Sequence, residues 1–175
     1  MYLLIFLLLP VAVFGLIFLV FIAYKTRQRN KKYGKKQLTY DQISIRCVDD
    51  IYNKYYNEIG IIYDLLPEMG TLFRSKYKKD VVNKIIGDME ICLAEDLHHA
   101  YENVNSTYGM SETDFCWDDH SKKYMIWMDI ARIRKFPDIV HSVRNLIRHE
   151  FKHHYMLETE GHSDISHLND IWKNN

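Results

Sequence analysis

Asp138-Ile139-Val140-His141-Ser142-Val143-Arg144-Asn145-Leu146-Ile147-Arg148-His149-Glu150-Phe151-Lys152-His153 reads as one amphipathic helix that ends in an H-E-x-x-H motif. Apolar residues stand at 139, 140, 143, 146, 147 and 151, in steps of three and four that gather them on one face. Pro137 and Asp138 supply a start signal, with the Asp138 carboxylate near the positive helix end. Residues i and i+4 of a helix lie one above the other, so His149 and His153 can point their imidazoles at one metal ion. Glu150 is rotated away from that pair and reaches a water beside the metal rather than the metal itself. Two nitrogen ligands plus one carboxylate base is the minimal kit of a zinc hydrolase, so Zn2+ is the implied cofactor and Glu150 the catalytic residue. Lys152 stands where zinc peptidases usually carry an uncharged side chain. On its own it also fits a solvated basic helix end with incidental histidines.

A catalytic zinc needs a third protein ligand and one open position. Only 22 residues follow His153, too few for a Glu on a distant second helix. The metzincin spacing fails as well, because Met156 and Thr159 stand where it needs Gly and His. Glu158, Glu160, His162, Asp164 and His167 remain. Gly161-His162 is the preferred choice. The helix can end near Leu157, and Glu158 to Gly161 can turn because Gly tolerates positive φ. His162 then returns towards the metal before a short helix anchored by Ile165, Leu168, Ile171 and Trp172. The expected metal set is His149, His153 and His162, with His167 as the competitor for the third place. His141 and His154 read as surface or supporting groups.

The order Tyr124 to Ile130, Pro137-Asp138, Leu146 to His153 and Glu160-Gly-His-Ser163 resembles the minimal zincins of the SprT-like and WLM/YgjP-like group. The resemblance covers roughly residues 110–175. It implies a strand, a helix with H-E-x-x-H, a turn, a third His and a short helix. It also implies His149, His153 and His162 as zinc ligands, Glu150 as general base, and an edge strand that binds extended peptide by strand addition. Tyr124 to Ile130 is the candidate for that strand. The chain departs from the pattern at Lys152, and at Ser166, where the group carries an aromatic residue.

Tyr2 to Tyr24 is uncharged and overwhelmingly apolar. A helix of that length would reach about 34 Å, enough for a hydrocarbon core of about 30 Å, so residues 1–24 are expected to be a single-pass membrane anchor. No basic residue precedes the run, whereas Lys25, Arg27, Arg29, Lys31, Lys32, Lys35 and Lys36 follow it. The positive-inside rule then puts the N-terminus outside and the C-terminal domain in the cytoplasm. Residues 25–38 read as a basic juxtamembrane linker, which could also touch anionic headgroups. Formal net charge is zero and topology accounts for the basic cluster, so nucleic acid is not an expected partner.

Residues 39–175 make one domain of ordinary size, rich in Tyr and poor in Gly and Pro. Cys47, Cys92 and Cys116 are widely spaced, which suits reduced buried thiols and gives no zinc-finger signal. Thr39 to Gln42 has the form of a capping box, followed by a helical face from Ile43 to Ile59. Pro67 and Gly70 are breakers. Lys78 to Asn103 reads as one long amphipathic helix bearing Glu90, Glu95 and His98-His99. Asn105 to Glu112 reads as a loop, and Phe115 to Trp117 and Tyr124 to Met128 as short strands. The expected fold is α+β: a transmembrane helix, then a mainly helical zincin-like domain with a small sheet beside the motif helix. The expected function is a membrane-anchored zinc metallopeptidase acting on protein or peptide substrates, with an inactive zincin-fold adaptor or metal-dependent regulator as the alternative.

Overall fold

The computed structural model describes residues 2–97, 113–118 and 123–162, with backbone only for 2–12, 29, 32, 33 and 113–118. Helix α1 (Tyr2–Tyr33) leads into strands β1 (Lys35–Tyr40) and β2 (Ile43–Cys47). Helices α2 (Asp49–Lys54), α3 (Tyr56–Lys76) and α4 (Lys79–Gly87) precede β3 (Met89–Ala94). Then come β4 (Thr113–Asp118), β5 (Lys123–Asp129), the short α5 (Ile130–Ile133) and the motif helix α6 (Ile139–Glu160). The strands form one mixed sheet in the order β1-β2-β3-β5-β4. The two outer pairs are antiparallel and the two inner pairs parallel.

Alternation along the strands divides the sheet into two faces. Ile45, Ile91 and Ile126 point to the face covered by helices, where Ile62 and Phe73 of α3, Ile85 of α4 and Phe151 of α6 complete the main core. Cys92, Met125 and Trp127 form a second cluster on the other face. Arg46 and Glu90 lie on that face as a buried ion pair at 2.8 Å. The Arg46 guanidinium also donates to the Gly34 carbonyl at 3.0 Å and to Asn30 Oδ1 at 3.2 Å, which ties the end of α1 to the sheet. Cys47 and Cys92 are buried free thiols, as their spacing suggested. Burial, and then the charge of Asp49, pushes the Cys47 thiol up to about 11.

The α+β class stands, but the transmembrane helix does not. Among the described residues no helix is long and apolar enough to cross a membrane. α1 runs on past Tyr24, through the basic stretch, to Tyr33. The orientation drawn from the positive-inside rule presupposed that span. The large apolar side chains described on α1, from Val13 to Tyr24, are exposed, from 44% at Ile22 to 73% at Phe14.

Five local readings are corrected. Thr39 to Gln42 does not cap a helix: it closes the β1–β2 hairpin, with Asp41 at φ 53 and held by Arg74 at 3.2 Å. The helical face expected from Ile43 begins as strand β2, and helix starts only at Asp49. Pro67 lies inside α3, which continues because Leu65, Leu66, Met69 and Phe73 bury one continuous side. The helix expected from Lys78 to Asn103 stops at Gly87, and Met89 to Ala94 is a central strand. His98, His99 and the loop from Asn105 to Glu112 lie outside the described residues. The two short strands at 115–117 and 124–128 are present within β4 and β5. However, β5 is interior, paired with β3 and β4, so β4 rather than Tyr124 to Ile130 is the edge nearest the motif helix.

Candidate metal centre on the motif helix

Helix α6 starts where Asp138 Oδ1 accepts the His141 N–H at 2.9 Å, satisfying one of the orphan donors of the first turn. It ends at Gly161, whose φ of 76° is the left-handed conformation that glycine adopts without a Cβ penalty. The helix is therefore one turn longer than the expected stop near Leu157. Glu158 explains the extension: its carboxylate accepts from Lys84 Nζ and from the Tyr124 hydroxyl, which binds the last turn to α4 and β5.

Residues of the motif divide by face. Phe151 is fully buried and stacks on Phe73 with ring centroids 3.7 Å apart and planes within 8°. It fixes the helix on α3. His154, also fully buried, donates Nε2–H to the Met125 carbonyl at 3.1 Å, which ties α6 to β5 and sets the tautomer. Burial drives its pKa down to about 3, so the ring is neutral. It also meets the Tyr124 ring edge-on at 5.2 Å.

Between these two anchors the remaining face carries His149 and His153. Their Nε2 atoms are 3.2 Å apart, with the rings at 79° to one another. Two nitrogens at zinc–nitrogen bond lengths of about 2.0–2.1 Å and a tetrahedral angle are about 3.3–3.4 Å apart. The pair thus fits one edge of a zinc coordination tetrahedron, although a ring-to-ring hydrogen bond accounts for the same separation. Glu150 is buried, at 3% exposure. It is one residue on from His149 and four before His154, so it lies on the strip between the histidine pair and the sheet. Lys152 is buried too, at 4%, not part of a solvated basic end. Burial, and then the charges of Arg148 and Lys76, hold its pKa below the ordinary lysine value.

The structure brings His149 and His153 together and buries Glu150 of the same helix, but does not add His162 to them. His162 is exposed just past the helix cap, 3.4 Å from the Glu160 carboxylate. Among the described residues no group of three or more His, Cys, Asp or Glu side chains is arranged to hold a metal ion. His167, Asp164 and the short helix expected to carry the apolar anchors lie outside the described residues. His141 is exposed and bonded to Asn145 at 2.9 Å. His154 is committed to Met125, and the Tyr155 hydroxyl accepts the Lys78 N–H at 3.4 Å.

Sequence reasoning missed Tyr124 and Lys84, which hold the end of the motif helix through Glu158. A signal was available for Tyr124: a tyrosine in an otherwise apolar strand needs a partner for its hydroxyl. Burial, and then the Glu158 hydrogen bond, pushes the Tyr124 phenol up, so it remains a donor. No protein-family model matches the chain, and no curated protein or solved structure matches it either.

Proposed function

We propose that the chain is a zinc-dependent metallopeptidase that hydrolyses peptide bonds in protein or peptide substrates. The observation that carries this reading is the 3.2 Å separation of the His149 and His153 Nε2 atoms, on a helix that also buries Glu150. His149 and His153 would hold the metal from the helix, with His162 as the proposed third ligand and His167 as its competitor. When bound, zinc supplies Lewis acidity that makes water a nucleophile near neutral pH and polarises a carbonyl. Glu150 takes the proton of the attacking water and passes it to the leaving amine. Phe151 and His154 keep the helix from rotating, so the two imidazoles and the carboxylate hold their relative positions through the reaction.

The test is a pair of measurements on the purified chain. Metal analysis should find one zinc per chain, and Glu150→Gln should retain it while losing hydrolysis of a casein-type substrate by about a hundredfold or more, as expected for loss of a general base. Wild-type turnover in that variant would remove Glu150 from the role of base. Zinc retention without any hydrolysis by the parent chain would favour an inactive adaptor or metal-dependent regulator. For the third ligand, His162→Ala should release zinc and His167→Ala should not. The reverse result would install His167.

A further inference from the structure

An open groove of about 680 Å3 lies where α1 meets the sheet. Thr26, Arg27, Asn30 and Lys31 form the helix wall, and Lys35 and Asp49 stand opposite. Asp49 is already engaged: it accepts from Lys35 at 2.7 Å and from Gln37 at 2.9 Å. Arg27 and Lys31 have no acidic partner among the described residues. They lie at i and i+4 on one strip of α1, so their charges point the same way. Immediately before them in sequence, the helix surface from Phe14 to Ile22 is apolar and exposed.

We propose that this groove is a headgroup site for an anionic phospholipid whose acyl chains run along the apolar surface of α1. The charge and the apolar surface together choose this occupant. A soluble anion would pair with Arg27 and Lys31 but leave the helix surface in water. A zwitterionic lipid would cover the helix and bring no net charge to the two cations. An apolar protein segment would gain nothing from them. Because the groove is walled by both α1 and the β1–α2 region, a bound headgroup links the helix to the domain and should stabilise the fold by mass action.

The experiment uses the full chain in uncharged detergent micelles, titrated with phosphatidylglycerol or with phosphatidylcholine while the thermal midpoint is followed. Phosphatidylglycerol should raise the midpoint and phosphatidylcholine should not. Arg27→Gln and Lys31→Gln should each weaken the apparent affinity about fivefold, and together about 30-fold, from about 1 kcal/mol per basic residue at an anionic surface. The charge-matched double change Lys36→Gln with Lys79→Gln, outside the groove, should leave the affinity unchanged. Added salt should reduce the phosphatidylglycerol effect on the wild-type chain, a readout that needs no variant to fold. An equal rise with phosphatidylcholine, an equal loss in the control variant, or no salt effect would each overturn the site. An equal rise with soluble glycerol phosphate would assign the groove to a free anion and overturn the lipid.

Discussion

Phe151 lies inside H-E-x-x-H, yet the structure gives it a purely mechanical task, and truncating it separates packing from chemistry within the motif. The ring is fully buried, stacked on Phe73 at 3.7 Å and tilted against Tyr77 at 5.9 Å. Phe151→Ala removes a ring wedged between α3 and α6, each of which is pinned elsewhere, so neither can move in to fill the space. A buried Phe→Ala change costs about 3–5 kcal/mol, and the lost stacking adds about 0.5–1.5 kcal/mol. The expected loss is thus at the upper end, about 4–5 kcal/mol, a large part of a typical stability of about 5–15 kcal/mol. Phe151→Leu keeps most of the volume and should cost less than about 1.5 kcal/mol. Urea unfolding followed by far-ultraviolet circular dichroism, with the slope checked for constancy, reads the difference directly. A Phe151→Ala loss below about 1 kcal/mol would mean that α6 does not rest on α3 through this ring, and the argument that the histidine pair is held in place by packing would fail with it.

At the junction of α1 and the sheet, Gly34 has φ +74°, and a Cβ there would meet the Cys47 carbonyl carbon at 2.3 Å. Gly34→Ala should therefore lower the unfolding free energy measured in urea by more than about 1 kcal/mol, the scale of a non-glycine residue in the left-handed region, whereas unchanged stability would contradict the close approach of the two backbones. Glu158 makes the acid limb of stability informative. Burial pushes its carboxyl up, but the hydrogen bonds from Lys84 and Tyr124 outweigh that and leave it below the ordinary 4.5. A lowered folded-state pKa means stability that is present above about pH 4.5 and lost as pH falls through the folded value. Glu158→Gln should lower stability at pH 7 and flatten its fall between pH 5 and 3. An acid limb of the same steepness in that variant would show that the carboxylate is not held by those donors.

How much of this was legible in the sequence depends on where the determining partner sits. α6 was legible because its signals are local: Asp138 caps, the apolar steps of three and four face α3, and Gly161 closes. β2 was not, although Ile43-Ser-Ile-Arg-Cys47 alternates with a period of two. Its arginine reads as a solvent-facing residue until Glu90, far along the chain, is brought beside it. β3 failed for a different reason. A central strand is buried on both faces, so Met89-Glu-Ile-Cys-Leu-Ala94 is apolar at nearly every position and fits a helix as readily as a strand. Gly87, the last residue of α4, was the available stop signal. The anchor was expected from apolarity along the sequence, whereas among the described residues no helix is long and apolar enough to cross a membrane, and Arg46 ties the end of α1 to the sheet through Asn30 and the Gly34 carbonyl.

The same distinction runs through the site. The helical repeat alone brings His149 and His153 together, and no tertiary information is needed to see it. It cannot say which way the pair faces, because a helix of this composition could turn several strips towards the core. Three residues beside the pair answer that: Phe151 against α3, His154 on the Met125 carbonyl, and Glu158 under Tyr124 and Lys84. They hold the helix from different directions, so a rotation that relieved one contact would break another. The imidazoles are consequently held, with their Nε2 atoms 3.2 Å apart, on a helix whose rotation the packing fixes.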